Sequence, residues 1–262
     1  MKKRIMSLAL AVICLVGMVG CSGSSGDGEK VSKKDMIKEL ETAMKKTNEA
    51  DSNAGTMELE MKAEVDDESE EITMNYDFIF NNLGDMDKLE GMMELDMTMS
   101  KTNQKATVYI KDGNVYMEMS GYKVKMDDSE FTELDSLQEQ TNLALLVEEQ
   151  IDSIKMKKDG DDKIVTIELK DDEIKELVME QMEDTMGSSS FDEENMDIKN
   201  YKIKYVINKD GYIKEQDITF KVTMEYLGEK GEVSMAANIK YDSFKNKDID
   251  FPDFKDFKDM NN

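Results

Sequence analysis

Apolar residues recur along this chain with two periods, and the change from one to the other marks its elements. Met36, Ile37, Leu40, Ala43, Met44 and Thr47 fall at helical spacing behind the pair Ser32 and Asp35, which has the form of a capping box. This predicts a helix ending near Asn48, because Asp51 to Gly55 reads as a breaker cluster. From Met57 the period is two. Met57, Leu59, Met61, Ala63 and Val65 alternate with charged residues, and Ile72 to Phe80 and Met93 to Met99 repeat the pattern. Val108 and Ile110 lead into the turn sequence Lys111-Asp112-Gly113-Asn114, Val115 to Met119 lead out, and Tyr122 to Met126 continue the meander.

Helical spacing returns over Phe131 to Gln150, through Leu134, Leu137, Leu145 and Leu146. Two short strands follow, Ile151 to Lys157 and Lys163 to Leu169, and then an amphipathic helix over roughly Asp172 to Met186. Gly187 to Asn195 reads as a loop. Three strands close the pattern: Tyr201 to Ile207, a long one through Ile218 to Tyr226, and one through Val233 to Tyr241. One apolar side and one charged side per strand is the mark of an antiparallel sheet wetted on one face. The tail from Asn246 repeats Asp-Phe-Lys and holds Pro252, the single proline, which suits a sheet edge.

Composition adds constraint. The 262 residues carry 34 basic against 59 acidic side chains, a net charge of -25, and 35% of all residues are charged. Such a field repels phosphate backbones, which argues against nucleic-acid partners, and it disfavours attraction to anionic lipid surfaces. The chain has no histidine, which removes the commonest general base and metal ligand. The N-terminus supplies another route to a membrane. Met1 to Arg4 is basic and Ile5 to Val19 apolar, a run suited to a secretory signal and short for a membrane span. Met18-Val19-Gly20-Cys21 resembles the bacterial lipobox, in which the cysteine is acylated and becomes the new N-terminus. Cys21 is therefore the expected lipid anchor, carrying a diacylglycerol and palmitate-type acyl chains. Residues 1–20 are then the signal peptide, 21–31 a Gly/Ser tether, 32–245 the folded domain and 246–262 an acidic tail that could form an edge segment.

Little in the sequence supports catalysis. The acidic pairs, Asp66-Asp67, Glu70-Glu71, Asp127-Asp128, Asp161-Asp162 and Glu193-Glu194, fall in expected turns, where water leaves a carboxylate unperturbed. Asp85-Met86-Asp87 lacks the remaining ligands of a calcium loop. No nucleophile elbow, phosphate loop or zinc motif occurs, so neither enzyme activity, metal nor cofactor is expected. Methionine is abundant, at 24 residues. Met92, Met93, Met97, Met99, Met117 and Met119 could be imagined as a thioether copper(I) site. Their apolar parity in the strands fits a core, or an adaptable wall for ligands of variable shape. On the second reading the cavity candidates are Met57, Met61, Met74, Phe78, Met93, Met97, Met117, Met224 and Met235.

The segments MIKELETAMKKTNEADSNAGTMELEMKAEV (36–65), VYIKDGNVYMEM (108–119), YVINKDGYIKEQDITF (205–220) and SFKNKDIDFPD (243–253) give the chain a likeness. It resembles the LolA-like superfamily of half-barrel lipoproteins, which includes LolA, LolB, LppX and RseB, and within it the lipoproteins of Gram-positive bacteria. The resemblance implies an α+β fold, a large curved antiparallel sheet with amphipathic helices packed on its concave face. It also implies a non-catalytic protein held at the extracytoplasmic face of the cell membrane, as on a Gram-positive surface, that binds or carries a lipid or acyl chain. The alternative is an RseB-like interaction module acting on an envelope protein partner without a small ligand. Such a module should expose an apolar patch, for which Phe251, Phe254 and Phe257 are the candidates. A structural envelope lipoprotein with no ligand is a third reading.

Overall fold

The computed structural model describes residues 32–65, 68–99, 102–126, 151–170, 175, 196–226 and 229–259. The expected signal peptide, tether and Cys21 lie outside these residues, as do the expected helix 131–150, all but one residue of the expected helix 172–186, and the loop 187–195.

Helix α1 spans Lys33–Asn48. Ser32 caps it, its Oγ accepting from the Asp35 backbone N–H at 3.2 Å and donating to the Asp35 carboxylate at 2.6 Å. Met36, Ile37, Leu40, Ala43, Met44 and Thr47 form the buried stripe that the spacing predicts. A fully buried Leu or Met side chain is stabilising by about 1.5–3 kcal/mol.

Among the described residues twelve strands form one sheet: β1 (Ser52–Val65), β2 (Glu68–Asn81), β3 (Glu90–Met99), β4 (Thr102–Lys111), β5 (Asn114–Met119), β6 (Tyr122–Met126), β7 (Ile151–Asp159), β8 (Asp162–Leu169), β9 (Asp197–Ile207), β10 (Ile213–Tyr226), β11 (Glu229–Ser243) and β12 (Lys258–Asp259). Their order is β12-β6-β5-β4-β3-β2-β1-β11-β10-β9-β8-β7. All neighbours are antiparallel except β12 and β6, where Lys258 pairs with Val124. The sheet is open, with β12 and β7 at its edges, so it is a half-barrel and not a closed one.

Two meanders meet at β1 and β11. Their register sets Met57 against Ile239, Leu59 against Ala237, Met61 against Met235 and Ala63 against Val233. Across β2 the same face continues with Ile72, Met74, Tyr76 and Phe78. We call this the inner face, because α1 packs on it: Leu40 and Met44 join Leu59, Met61, Ile72, Ile203, Ile218, Val222 and Met235 in a single core. Thr47 fixes the far end of the helix, its Oγ1 accepting from the Ile213 backbone N–H at 2.9 Å. Lys46 donates to the Asp210 carbonyl at 2.5 Å and stands 4.4 Å over the Tyr212 ring. Glu39 pairs with Lys163 at the start of β8.

Several local readings change. Ser52, Asn53, Ala54 and Gly55 belong to β1 and not to a breaker cluster. The carbonyl of Lys240 approaches so closely there that only glycine fits, and a register shift sits at the same place. Glu70 and Glu71 lie in β2 instead of a turn, while Asp162 opens β8 after the turn residue Asp161. Strand β9 starts at Asp197, four residues early. Asn200, at φ 58°, takes up the bulge against β10 that lets Tyr201 stack on Phe220, ring centroids 5.1 Å apart. The two Lys-Asp-Gly hairpins also differ. The first closes on two residues, Asp112 and Gly113, both left-handed as a type I′ turn requires. In the second, Asn208 Oδ1 accepts from the N–H groups of Asp210 and Tyr212 and holds a wider loop.

The C-terminal tail corrects the expected exposed aromatic patch. Phe254 stacks on Tyr116 with centroids 3.9 Å apart and meets Tyr109 edge-on at 5.9 Å. Phe251 lies 6.3 Å from Tyr109, and Phe257, only 8% exposed, meets Tyr116 edge-on at 5.4 Å. These rings are used within the molecule, on the outer face of β4 and β5.

Candidate functional site

The inner face is where the cavity candidates meet. Register places Met57, Met61, Met74, Phe78, Met93, Met97, Met117, Met224 and Met235 on one side of the sheet. The structure then divides them. Met61, Met74 and Met235 are buried in the core beneath α1, and Met97 packs against that core. Met57, Phe78, Met93 and Met117 are half-buried and lie outside it. Met224 pairs with Gly231 in the register, and its side chain lies outside the described residues. The half-buried stretch runs across β1 to β5 and ends at Met119, 41% exposed, and Tyr122, 75% exposed on β6.

The polarity of this face contrasts with the rest of the chain. Among the described residues, charged side chains reach inner-face positions only at strand ends, at Glu68, Glu70, Lys158 and Lys163. Between these rims the register positions are aliphatic, aromatic, thioether or neutral polar. The outer face takes the charge instead. Lys204 bridges Glu215 at 2.9 Å and Asp217 at 2.6 Å, and Lys105 meets Asp96 at 2.7 Å. Such surface pairs contribute little to stability. Their effect is to place ions where water already solvates them.

Aromatic and tyrosyl groups set the local electrostatics. Phe78 stacks on Phe80 at 6.1 Å and meets Tyr241 edge-on at 5.9 Å. Gly55 lies between Phe78 and Tyr241 in the register, and its missing side chain lets the two rings meet. Tyr241 also contacts Phe244, which stacks on Tyr212. Burial pushes the Tyr241 phenol up to about 12 and raises those of Tyr76 and Tyr201. Tyr76 donates to the Met74 sulfur at 3.3 Å, so its hydroxyl is satisfied inside the apolar face.

Among the described residues no group of three or more His, Cys, Asp or Glu side chains is placed to hold a metal ion, and no helix is long and apolar enough to cross a membrane. The arrangement can bury apolar surface and exclude ions.

One residue of interest escapes a search for apolar parity. Gln216 occupies an inner-face position of β10, in phase with Ile218, Phe220 and Val222. It is 6% exposed, and its Oε1 is buried without a hydrogen-bond donor. The signal in the sequence is a lone polar residue on the apolar phase of an otherwise apolar strand.

An open, mostly antiparallel sheet with one apolar and one ionised face, the apolar face lying under a helix, defines a protein of the half-barrel class. Residues 33–253 match the family of unknown function DUF6612, and the chain belongs to that family. Among solved structures it is similar to LprF from Mycobacterium bovis, at 8% identity over 84% of this chain and 97% of that one, with a TM-score of 0.37. It is similar also to the lipoprotein LppX from Mycobacterium tuberculosis, at 9% identity over 84% of this chain and 100% of that one, with a TM-score of 0.36. A LolA superfamily protein from Nitrosomonas europaea matches at 7% identity over 79% of this chain and 93% of that one, with a TM-score of 0.23. Comparison with curated protein sequences finds no match.

Proposed function

We propose that this protein is a lipoprotein anchored through Cys21 at the extracytoplasmic face of the membrane, and that it binds or carries a lipid or acyl chain on its inner face without catalysis. The observation that carries this reading is the segregation of charge. In a chain with 35% charged residues, the inner face is free of them between its rims among the described residues. A core needs an apolar face, but a core alone also closes over it. Here the candidates on β1, β2, β3 and β5 stay half-buried while those under α1 are sealed. Unbranched thioether side chains there offer a surface that adapts to flexible chains. Burial at about 25 cal/mol per Å² makes a long acyl chain an adequate ligand with few polar contacts.

The test is native mass spectrometry with lipid extraction on the protein expressed in bacteria. Co-purified lipid in stoichiometric amount supports the carrier. Protein that is lipid-free and stays so when offered lipid vesicles sinks it and leaves the interaction-module reading. In the same cells, Cys21→Ser should abolish acylation and release from the membrane fraction should follow. Unchanged membrane retention would remove the anchor from the proposal.

A further inference from the structure

We propose that Gln216 is a specificity residue of the inner face, accepting a hydrogen bond from a neutral donor, a hydroxyl, on the polar end of a long-chain amphiphile. The inference rests on the lipid-binding reading and deepens it. Gln216 sits in one register row that crosses the whole sheet. Tyr205 is on one side of it, and on the other come Ile239, Met57 and Tyr76, with Met119 further along. Exposure is low at one end of that row and high at the other. Tyr205 is 2% exposed and Gln216 6%, Ile239, Met57 and Tyr76 are half-buried, and Met119 reaches 41%. Gln216 is thus the last sealed position before the half-buried stretch opens.

A carboxamide oxygen in such a place is unfavourable unless a donor meets it, since it has lost its water and gained no partner. Oε1 has none. In the same row the Tyr76 hydroxyl is already engaged with the Met74 sulfur. What satisfies Oε1 must bring a proton of its own and no net charge, because among the described residues no ion on the inner face between the rims stands to compensate one. From Gln216 on β10 to Met119 on β5 is six strand spacings, about 28 Å along the sheet. That span suits a long alkyl chain lying across the strands with its hydroxyl at the sealed end. The chemical class is therefore a neutral lipid alcohol, in preference to a fatty-acid anion or an amphiphile lacking a donor.

Two photoactivatable probes separate the possibilities in membranes holding the full chain: 1-hexadecanol with a mid-chain diazirine and a terminal alkyne, and its methyl ether. The wild-type protein should cross-link the alcohol about fivefold or more over the ether, the value of one neutral hydrogen bond. The cross-links should map to peptides containing Met57, Phe78 or Met93. Gln216→Leu should bring the two probes level. Gln216→Met, closer in length, serves the same purpose should the leucine variant fail to accumulate. Equal labelling of both probes by the wild-type protein overturns the role of Gln216 and leaves lipid binding standing, with a buried water as the partner of Oε1. Absence of inner-face cross-links from either probe overturns the binding reading itself.

Discussion

A methyl group placed on Gly55 would lie 1.9 Å from the backbone oxygen of Lys240, and the atom it meets cannot rotate away. The contact falls where β1 and β11 pair, so relief requires separating the strands that join the two meanders. Gly55→Ala should therefore destabilise the protein by at least about 2 kcal/mol, read as a lower urea midpoint. Gly84→Ala, whose Cβ would have nothing nearer than the Asp51 carboxylate at 4.0 Å, should change stability by no more than about 0.5 kcal/mol. Equal midpoints for the two variants would contradict the close approach. At this scale the sequence was partly legible. The apolar parity that picked out Met61 and Met235 reports which way a side chain points, and both are indeed buried. Parity is silent about close backbone approach, so Gly55 read as a breaker. It also passes over the exception, and Gln216 was missed because a single polar residue does not disturb a period.

Among the elements, the C-terminal tail reaches the sheet edge that its sequence suggests, and it is fastened along the way. Ser52 donates to the Asn246 carboxamide at 2.5 Å, and Asn81 both donates to the Lys247 carbonyl at 2.8 Å and accepts its N–H at 3.1 Å. Asn81 thus pairs with the tail as another peptide unit would, at a position only 5% exposed. From there the chain reaches Tyr109 and Tyr116, where its phenylalanines dock, and ends as β12 on the edge of β6. Ala54, Ile79, Met92, Tyr109 and Tyr116 form one register row on the outer face, an apolar line across an ionised surface. The tail is fastened near both ends of that row. Phe254→Ala removes a ring stacked at 3.9 Å on Tyr116 and should lower stability by about 2 kcal/mol, seen as a fall of several degrees in Tm. Deleting 246–262 should lower it further and expose the row to a hydrophobic dye. A truncated protein with wild-type Tm and no added dye binding would show the strap to be ornamental. The strands themselves were readable because period two is local. Of the strap only its place at a sheet edge was readable, since a two-residue parallel pairing leaves no period, yet Tyr109 and Tyr116 on the charged phase were a usable signal for its docking.

Across the whole molecule, the pairing of β1 with β11 decides what kind of object the chain makes. The pair joins residues nearly two hundred positions apart, and its register matches Met57, Leu59, Met61 and Ala63 with Ile239, Ala237, Met235 and Val233. No sequence period specifies such a partner, although both strands carry long, clean alternation that allows one register and disfavours its neighbours. Once formed, it fuses two one-sided meanders into a single surface, apolar within and ionised without. The proposed function depends on that division, and a charge moved from one face to the other tests it. Met117 is half-buried on the inner face, between Val108 and Val124, and lies outside the packed core. Met117→Glu places a carboxylate where an acyl chain would lie and no cation faces it, so retained lipid should fall at least tenfold, about 1.4 kcal/mol or more. Thr98 is exposed on the outer face of β3, opposite Thr73 and Asn103, and Thr98→Glu adds the same charge there. Its lipid content should stay within about twofold of wild type, because an exposed carboxylate keeps its hydration. Both proteins would be compared by circular dichroism and by the mass of co-purified lipid. Loss of lipid in Met117→Glu alone ties binding to the inner face, equal loss in both assigns the effect to net charge, and no loss in either moves the ligand off this face.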